Sequence, residues 1–145
     1  MILNIFNKTR KRIQIKFCQK VANTVSREIG KRAKASLVFV SEGEIGQLNK
    51  KYRKKNKVTN VLSFSFLDKD EKRFDSEKDY LGEVFVCLKY AEQEAEKYNW
   101  SLERNLTRLI THGLLHLYGF DHETLAERKK MENLENKIMH KLKYD

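Results

Sequence analysis

Three of the chain's four histidines fall within eleven residues, in the segment His112-Gly-Leu-Leu-His116-Leu-Tyr-Gly-Phe-Asp-His122. On a helix, His112 and His116 project from one face on successive turns, because residues at i and i+4 are neighbours there. Gly119 lets the chain leave that helix by a left-handed turn, which returns His122 toward the same face. Three neutral imidazoles then converge on one point. This is the donor set of a catalytic zinc site, with three protein ligands and a fourth position for water or substrate. A structural zinc site closes its tetrahedron, usually with cysteines, and Cys18 and Cys87 are both far away in sequence. The rival reading makes the histidines ordinary half-buried residues of an amphipathic helix. It suits one histidine or a pair better than three with a helix-ending glycine between the second and third.

The residue after the first histidine narrows the chemistry. Zinc proteases of the His-Glu-x-x-His type use that glutamate as general base. Here the position is Gly113, which has no side chain to accept a proton. An ordinary metalloprotease mechanism is disfavoured, and the proton-transfer group comes from elsewhere in the chain or from the substrate.

The 145 residues suit one domain, 1–145, and leave little for a second core. A hydrophobic fraction of 40% beside 34% charged residues supplies a core under a charged surface, which argues against wholesale disorder. No apolar run approaches the roughly 20 residues that cross a bilayer. The opening Met1-Ile-Leu-Asn-Ile-Phe6 is too short and too soon followed by charge to read as a signal peptide. Cys18 and Cys87 form no close-spaced pair and read as buried small hydrophobes rather than a disulfide framework. A soluble, cytoplasmic protein is expected.

The charge is lopsided. Residues 1–57 carry 16 Lys+Arg against 3 Asp+Glu, a balance of +13, and residues 58–145 carry 14 against 17, a balance of −3. A concentrated positive field attracts polyanions, since neutralising phosphates releases condensed counterions. The plain alternative is a lysine-rich surface that only solvates helices. The densest cluster is Lys50-Lys-Tyr-Arg-Lys-Lys-Asn-Lys57. Lys50, Lys51, Lys54, Lys55 and Lys57, with the basic face of the first helix, are the expected phosphate track. Tyr52 is the expected stacking aromatic, with a core position as its alternative.

Patterning sets the elements. Residues 2–6 read as a strand. Ile13, Phe17, Val21, Val25 and Ile29 mark a helix from about Arg12 to Gly30, the apolar residue recurring every fourth place. Ala35 to Val40 reads as a strand. Ser41, three before Glu44, opens a helix toward Tyr52. Leu62, Phe64 and Phe66 alternate as a half-buried strand, and Leu81 to Leu88 reads as the most buried strand. The nearly all-charged stretch from Asp68 to Tyr80 is expected to be a mobile loop. A helix then runs through Ala91 and Ala95 to about Tyr98. Ser101 caps another that ends at Gly119, and a last one runs from near Glu123 to Lys143, with Leu125, Met131, Leu134, Ile138 and Leu142 as core contacts. The fold class is therefore α+β, zinc-hydrolase-like: a small mixed sheet of about four strands covered by helices.

The histidine segment, together with Tyr52-Arg53 followed by Thr59-Asn-Val-Leu-Ser-Phe64, and Leu81-Gly-Glu-Val-Phe-Val-Cys87, resembles the motifs of the YbeY endoribonucleases, bacterial rRNA maturation factors. The resemblance covers nearly the whole chain. It implies that His112, His116 and His122 bind zinc, one ion per chain, and that Arg53 contacts RNA or acts in catalysis. Two positions depart from the family's usual pattern: Ser65 stands for a proline, and Glu83 for an aspartate.

What the resemblance implies is a single-strand-specific, metal-dependent endoribonuclease. It would act in rRNA processing (maturation of the 16S 3′ end) and in ribosome assembly and quality control. Its partners would be rRNA in the small ribosomal subunit and ribosome-assembly proteins, with no membrane and no DNA. Zinc held by three imidazoles polarises a phosphoryl oxygen, and Arg53 stabilises charge on the phosphorane. Glu83 and Asp121 are weak candidates for the general base, Asp121 being equally suited to orient a histidine or hold a turn. His140 reads as a surface residue. Two other classes are a zinc-containing ribosome-assembly binding protein with little catalysis and a metal-dependent hydrolase of a non-RNA substrate such as a peptide. Gly113 argues against the latter.

Overall fold

The computed structural model describes residues 1–66 and 79–144. Among them, the strands are β1 (Ile2–Asn7), β2 (Lys34–Val40), β3 (Val61–Ser65) and β4 (Tyr80–Cys87). The helices are α1 (Ile15–Ile29), α2 (Glu42–Arg53), α3 (Leu88–Lys97), α4 (Leu102–Leu117) and α5 (Leu125–Lys141). Apart from Asp79 and Tyr80, the charged stretch expected as a mobile loop lies outside the described residues.

The strands form one mixed sheet in the order β1-β2-β4-β3. β1, β2 and β4 are parallel neighbours and β3 pairs antiparallel with β4. The arrangement is the α+β class expected. Sheet pairs share a face, so the register sorts the side chains. Val61 opposes Val86 and Ser63 opposes Val84 on one face, while Leu62 opposes Phe85 and Phe64 opposes Glu83 on the other. The first face builds the larger core with α1, α3, α4 and α5, through Leu37, Phe39, Val84, Val86, Ile110 and Leu114. The second carries a smaller core of Val38, Val40, Leu62 and Cys87 under Ile45 of α2. β2 is buried from Ala35 through Val40, whereas β4 is buried only at alternate positions before Val86. The most buried strand is therefore β2, not β4, because helices cover both of its faces.

Local signals placed most elements. Ser41 caps α2, its hydroxyl accepting from Glu44 N–H at 3.2 Å, and the Glu44 carboxylate takes Lys8 Nζ at 2.9 Å. Ser101 caps α4 in the same way, accepting from Arg104 N–H at 3.1 Å. A reciprocal capping box does occur, at Thr124 and Glu127 of α5. Leu125, expected in the core, is 80% exposed: it is the first residue of α5, and the buried face of that helix begins only with Met131. Cys18 and Cys87 are both buried and unpaired. No helix among the described residues is long and apolar enough to cross a membrane.

Candidate metal centre

α4 is the central helix, with Leu109, Ile110, Leu114 and Leu115 packed into the main core. Its apolar side fixes its rotation, so His112 and His116 emerge together on the opposite side. Close approach to the sheet requires a residue without a side chain at 113. A Cβ on Gly113 would stand 2.5 Å from Val84 Cγ1 and 3.2 Å from Ser63 Oγ. The position that holds glutamate in His-Glu-x-x-His proteins therefore faces the sheet here and has no room for one. Ser63 Oγ donates to the Gly113 carbonyl at 3.1 Å, and Ser65 Oγ to the Leu117 carbonyl at 3.4 Å, tying β3 along the helix. Ser65, where the related pattern has proline, thus ends β3 as a buried residue with its hydroxyl turned to α4.

Gly119 adopts φ +101°, the left-handed region that favours glycine. The turn brings the Phe120 carbonyl back beneath His116, whose Nδ1–H donates to it at 2.9 Å. His112 Nδ1–H donates to Glu135 Oε1 of α5 at 2.8 Å. Nδ1 of each ring is thereby engaged, and the two Nε2 atoms are turned toward each other, 3.1 Å apart. Two nitrogens of one zinc tetrahedron are about 3.3 Å apart when each Zn–N bond is about 2.0–2.1 Å. His122 completes the group: one ring nitrogen from each of His112, His116 and His122 lies within 4.8 Å of the others. The donor set and its spacing fit a divalent transition metal. Burial lowers the pKa of His116 below its ordinary 6.5, and the neighbouring His112 and His122 add to the effect. A neutral ring is the form that binds metal.

These histidines line a cleft of about 600 Å³. The end of α2 and the segment that follows also line it, with Arg53, Lys55, Lys57 and Thr59. Asn49 shapes that segment. Buried in α2, it donates from Nδ2 to the Lys57 carbonyl at 3.0 Å and its own carbonyl accepts from Lys55 N–H at 3.2 Å. Arg53 donates from Nη2 to the Ser63 carbonyl, and its guanidinium carbon lies 5.3 Å from the Phe64 ring centre. The arginine is thus held at the mouth of the cleft, exposed yet anchored.

The structure separates other expected site residues. Asp121 lines the cleft, and its carboxylate accepts the His122 backbone N–H at 2.7 Å, which holds the turn carrying the third histidine. Glu83 opposes Phe64 on the sheet face that carries α2, away from Val84 and the histidine helix. Lys51 and Tyr52 line a separate depression with Lys8, Glu44 and Phe85. Lys50 and Lys54 are exposed and are not among the cleft-lining residues. Lys16, Lys20 and Arg27 of α1 border another depression of their own. Of the expected lysine cluster, Lys55 and Lys57 line the cleft that holds the histidines. Glu135 was missed by sequence reasoning. A carboxylate behind a metal-bound histidine is a common arrangement, but α5 also carries Glu127 and Glu132, and only the packing of α5 on α4 selects Glu135.

A mixed sheet whose central helix and the turn after it gather three imidazoles in one cleft defines an α+β protein with a histidine cluster that could hold a metal ion. The family model described as Endoribonuclease YbeY matches residues 4–143, and the chain belongs to that family. It is 43% identical over 111 residues to the endoribonuclease YbeY of Buchnera aphidicola subsp. Baizongia pistaciae, covering 77% of this chain and 70% of that one. With the endoribonuclease YbeY of Syntrophomonas wolfei it shares 40% identity over 131 residues, 86% of this chain and 84% of the relative. The fold is similar to the solution structure of TM1509 from Thermotoga maritima, with a TM-score of 0.60 and 24% identity over 98% of this chain and 92% of the other.

Proposed function

We propose that this chain is a zinc-dependent endoribonuclease that cleaves single-stranded RNA during rRNA processing, at the 16S 3′ end, in the cytoplasm. His112, His116 and His122 hold one zinc ion per chain. The observation that carries the reading is the gathering of two groups in one cleft: three convergent imidazoles on α4 and its following turn, and Arg53 with Lys55 and Lys57. The family membership points the same way.

A bound divalent ion supplies a Lewis acid for a phosphoryl oxygen. The chain's own residues do the rest. Lys55 and Lys57, which line the cleft, attract the phosphates. Arg53, pinned by the Ser63 carbonyl and the Phe64 ring, meets the transferring phosphate with a planar fork already in position. Glu135 and the Phe120 carbonyl hold two of the imidazoles in the required tautomer. Asp121 keeps the turn that delivers His122, and Gly113 lets the helix sit against the strand that holds Arg53.

The test is cleavage of 16S 3′-end fragments and of unrelated single-stranded RNA by metal-stripped, zinc-restored and Arg53→Ala protein. Activity should vanish on stripping, return with zinc and fall about 100- to 1000-fold with the variant, as for loss of one charge-stabilising donor. Cleavage indifferent to both treatments would overturn the reading. Equal rates on every RNA would overturn its rRNA part.

A further inference from the structure

The helix that carries the histidines continues the site in the opposite direction. Beyond its first two residues, the positions of α4 that are not buried are Arg104, Arg108, His112 and His116. They recur every fourth residue, so they form one stripe, each step rising about 6 Å along the axis. At the far end of the stripe stands an aromatic column. The rings of Tyr98 and Trp100 are 5.0 Å apart and 31° from parallel, and the guanidinium carbons of Arg104 and Arg108 lie 4.9 Å and 5.5 Å from the indole centre. Tyr98 is 51% exposed, and Lys97 Nζ lies 5.5 Å from its ring centre.

The column is joined to the cleft. Glu94 of α3 pairs with Arg108 Nη2 at 3.5 Å and accepts from Asn60 Nδ2 at 3.2 Å. Asn60 sits between Thr59 and Val61, which both line the cleft. Arg108 Nε also donates to Asn105 Oδ1 at 3.1 Å. These bonds hold the guanidinium against the ring, where its charge is presented beside a flat apolar face. An aromatic column that is exposed at Tyr98, half-buried at Trp100 and flanked by Arg104, Arg108 and Lys97 has the chemistry of a single-strand platform: a ring for a base and cations for the phosphates.

We infer that Tyr98 and Trp100, with Arg104 and Arg108, form a second RNA subsite that stacks a base outside the cleft while the histidine site holds another part of the same strand. The inference rests on the proposed nuclease reading and names where its substrate extends. From His112 to Arg104 the helix rises about 12 Å. At about 3.4 Å per stacked nucleotide, that span is about four nucleotides. The subsite therefore acts only on strands long enough to reach it.

Trp100 is the sole tryptophan of the chain, so its emission reports the column directly. The metal-loaded protein is titrated with oligoribonucleotides of about three and about twelve nucleotides, bracketing the span, and with an abasic sugar-phosphate strand of the longer length. The long RNA should quench the tryptophan, and the short RNA and abasic strand should not. Tyr98→Ala should weaken binding of the long RNA about 5- to 150-fold, the effect of losing one stacked base, while cleaving the short RNA at the wild-type rate. Tyr98→Phe, which keeps a ring, should bind like the wild type, and Arg108→Gln should make the salt dependence shallower. Equal quenching by the abasic strand would overturn the inference in favour of a simple anion patch. Tight binding of the long RNA with unchanged emission, and unchanged affinity in Tyr98→Ala, would overturn it and leave the column to a protein partner. Quenching by long RNA in a protein that cleaves none would support the subsite and refute the nuclease reading.

Discussion

Glu135 Oε1 of α5 lies 2.8 Å from Nδ1 of His112, so the last helix aims one of the three clustered imidazoles, carried by the helix before it. The bond crosses 23 residues of sequence and makes the packing of two helices part of the candidate metal centre. Replacing a carboxylate in this role typically costs about 10- to 100-fold in metal affinity. Glu135→Ala should therefore bind zinc about 10- to 100-fold more weakly, measured by chelator competition, with its secondary structure retained. Wild-type affinity would show that the carboxylate does not orient the ring.

Gly113→Ala places a methyl group 2.5 Å from Val84 Cγ1, a fully buried β-branched side chain in a packed sheet. Overpacking of this kind costs about 1–3 kcal/mol. Urea unfolding should show a loss of that order despite alanine's better helix propensity. Val84→Ala in the same background should recover part of it, since it removes the atoms in conflict.

Lowering the pH should release metal late. Burial and the two adjacent rings hold His116 below its ordinary 6.5, so it stays neutral, and able to bind, to a more acid pH than a free histidine. In the metal-free protein the sign is also defined. The unfolded chain takes up the proton first, so stability present above pH 6.5 is lost as the pH falls from there through the folded value. Metal release followed between pH 7 and 4 should have its midpoint below about 6.5, and a midpoint above it would contradict the shift.

Lys55 and Lys57 face the cleft, whereas Lys50 and Lys51 do not. Each phosphate contact on a single strand contributes about 0.7 to the slope of log affinity against log salt. Lys55→Gln with Lys57→Gln should reduce that slope by about 1.4, and Lys50→Gln with Lys51→Gln should leave it nearly unchanged. The reverse result would place the RNA on the other side of α2.

The histidine spacing could be read without coordinates because a helix brings residues four apart together wherever it sits. Gly119 was legible for the same reason: a left-handed turn is a property of one residue's backbone. The caps at Ser41 and Ser101 and the apolar stripe of α1 are likewise local. Leu125 misled because periodicity does not show where a helix first meets the core. The lysine cluster divides because one short helix end distributes its neighbours between two depressions. Arg53 and Lys55 line the histidine cleft, and Lys51 and Tyr52 line a separate depression.

Sequence by itself determined the donor set, the helix that carries it, the α+β class and the basic character of the first half. Those follow from side-chain chemistry and from short-range backbone geometry. Only the tertiary structure decided that Glu135 backs His112, that Gly113 is pressed on Val84, that Ser63 ties β3 to α4 and that Glu83 lies on the far face. Each of these depends on which surfaces meet when the sheet and helices bury their apolar faces, and contacts between segments distant along the chain leave no periodic trace in it.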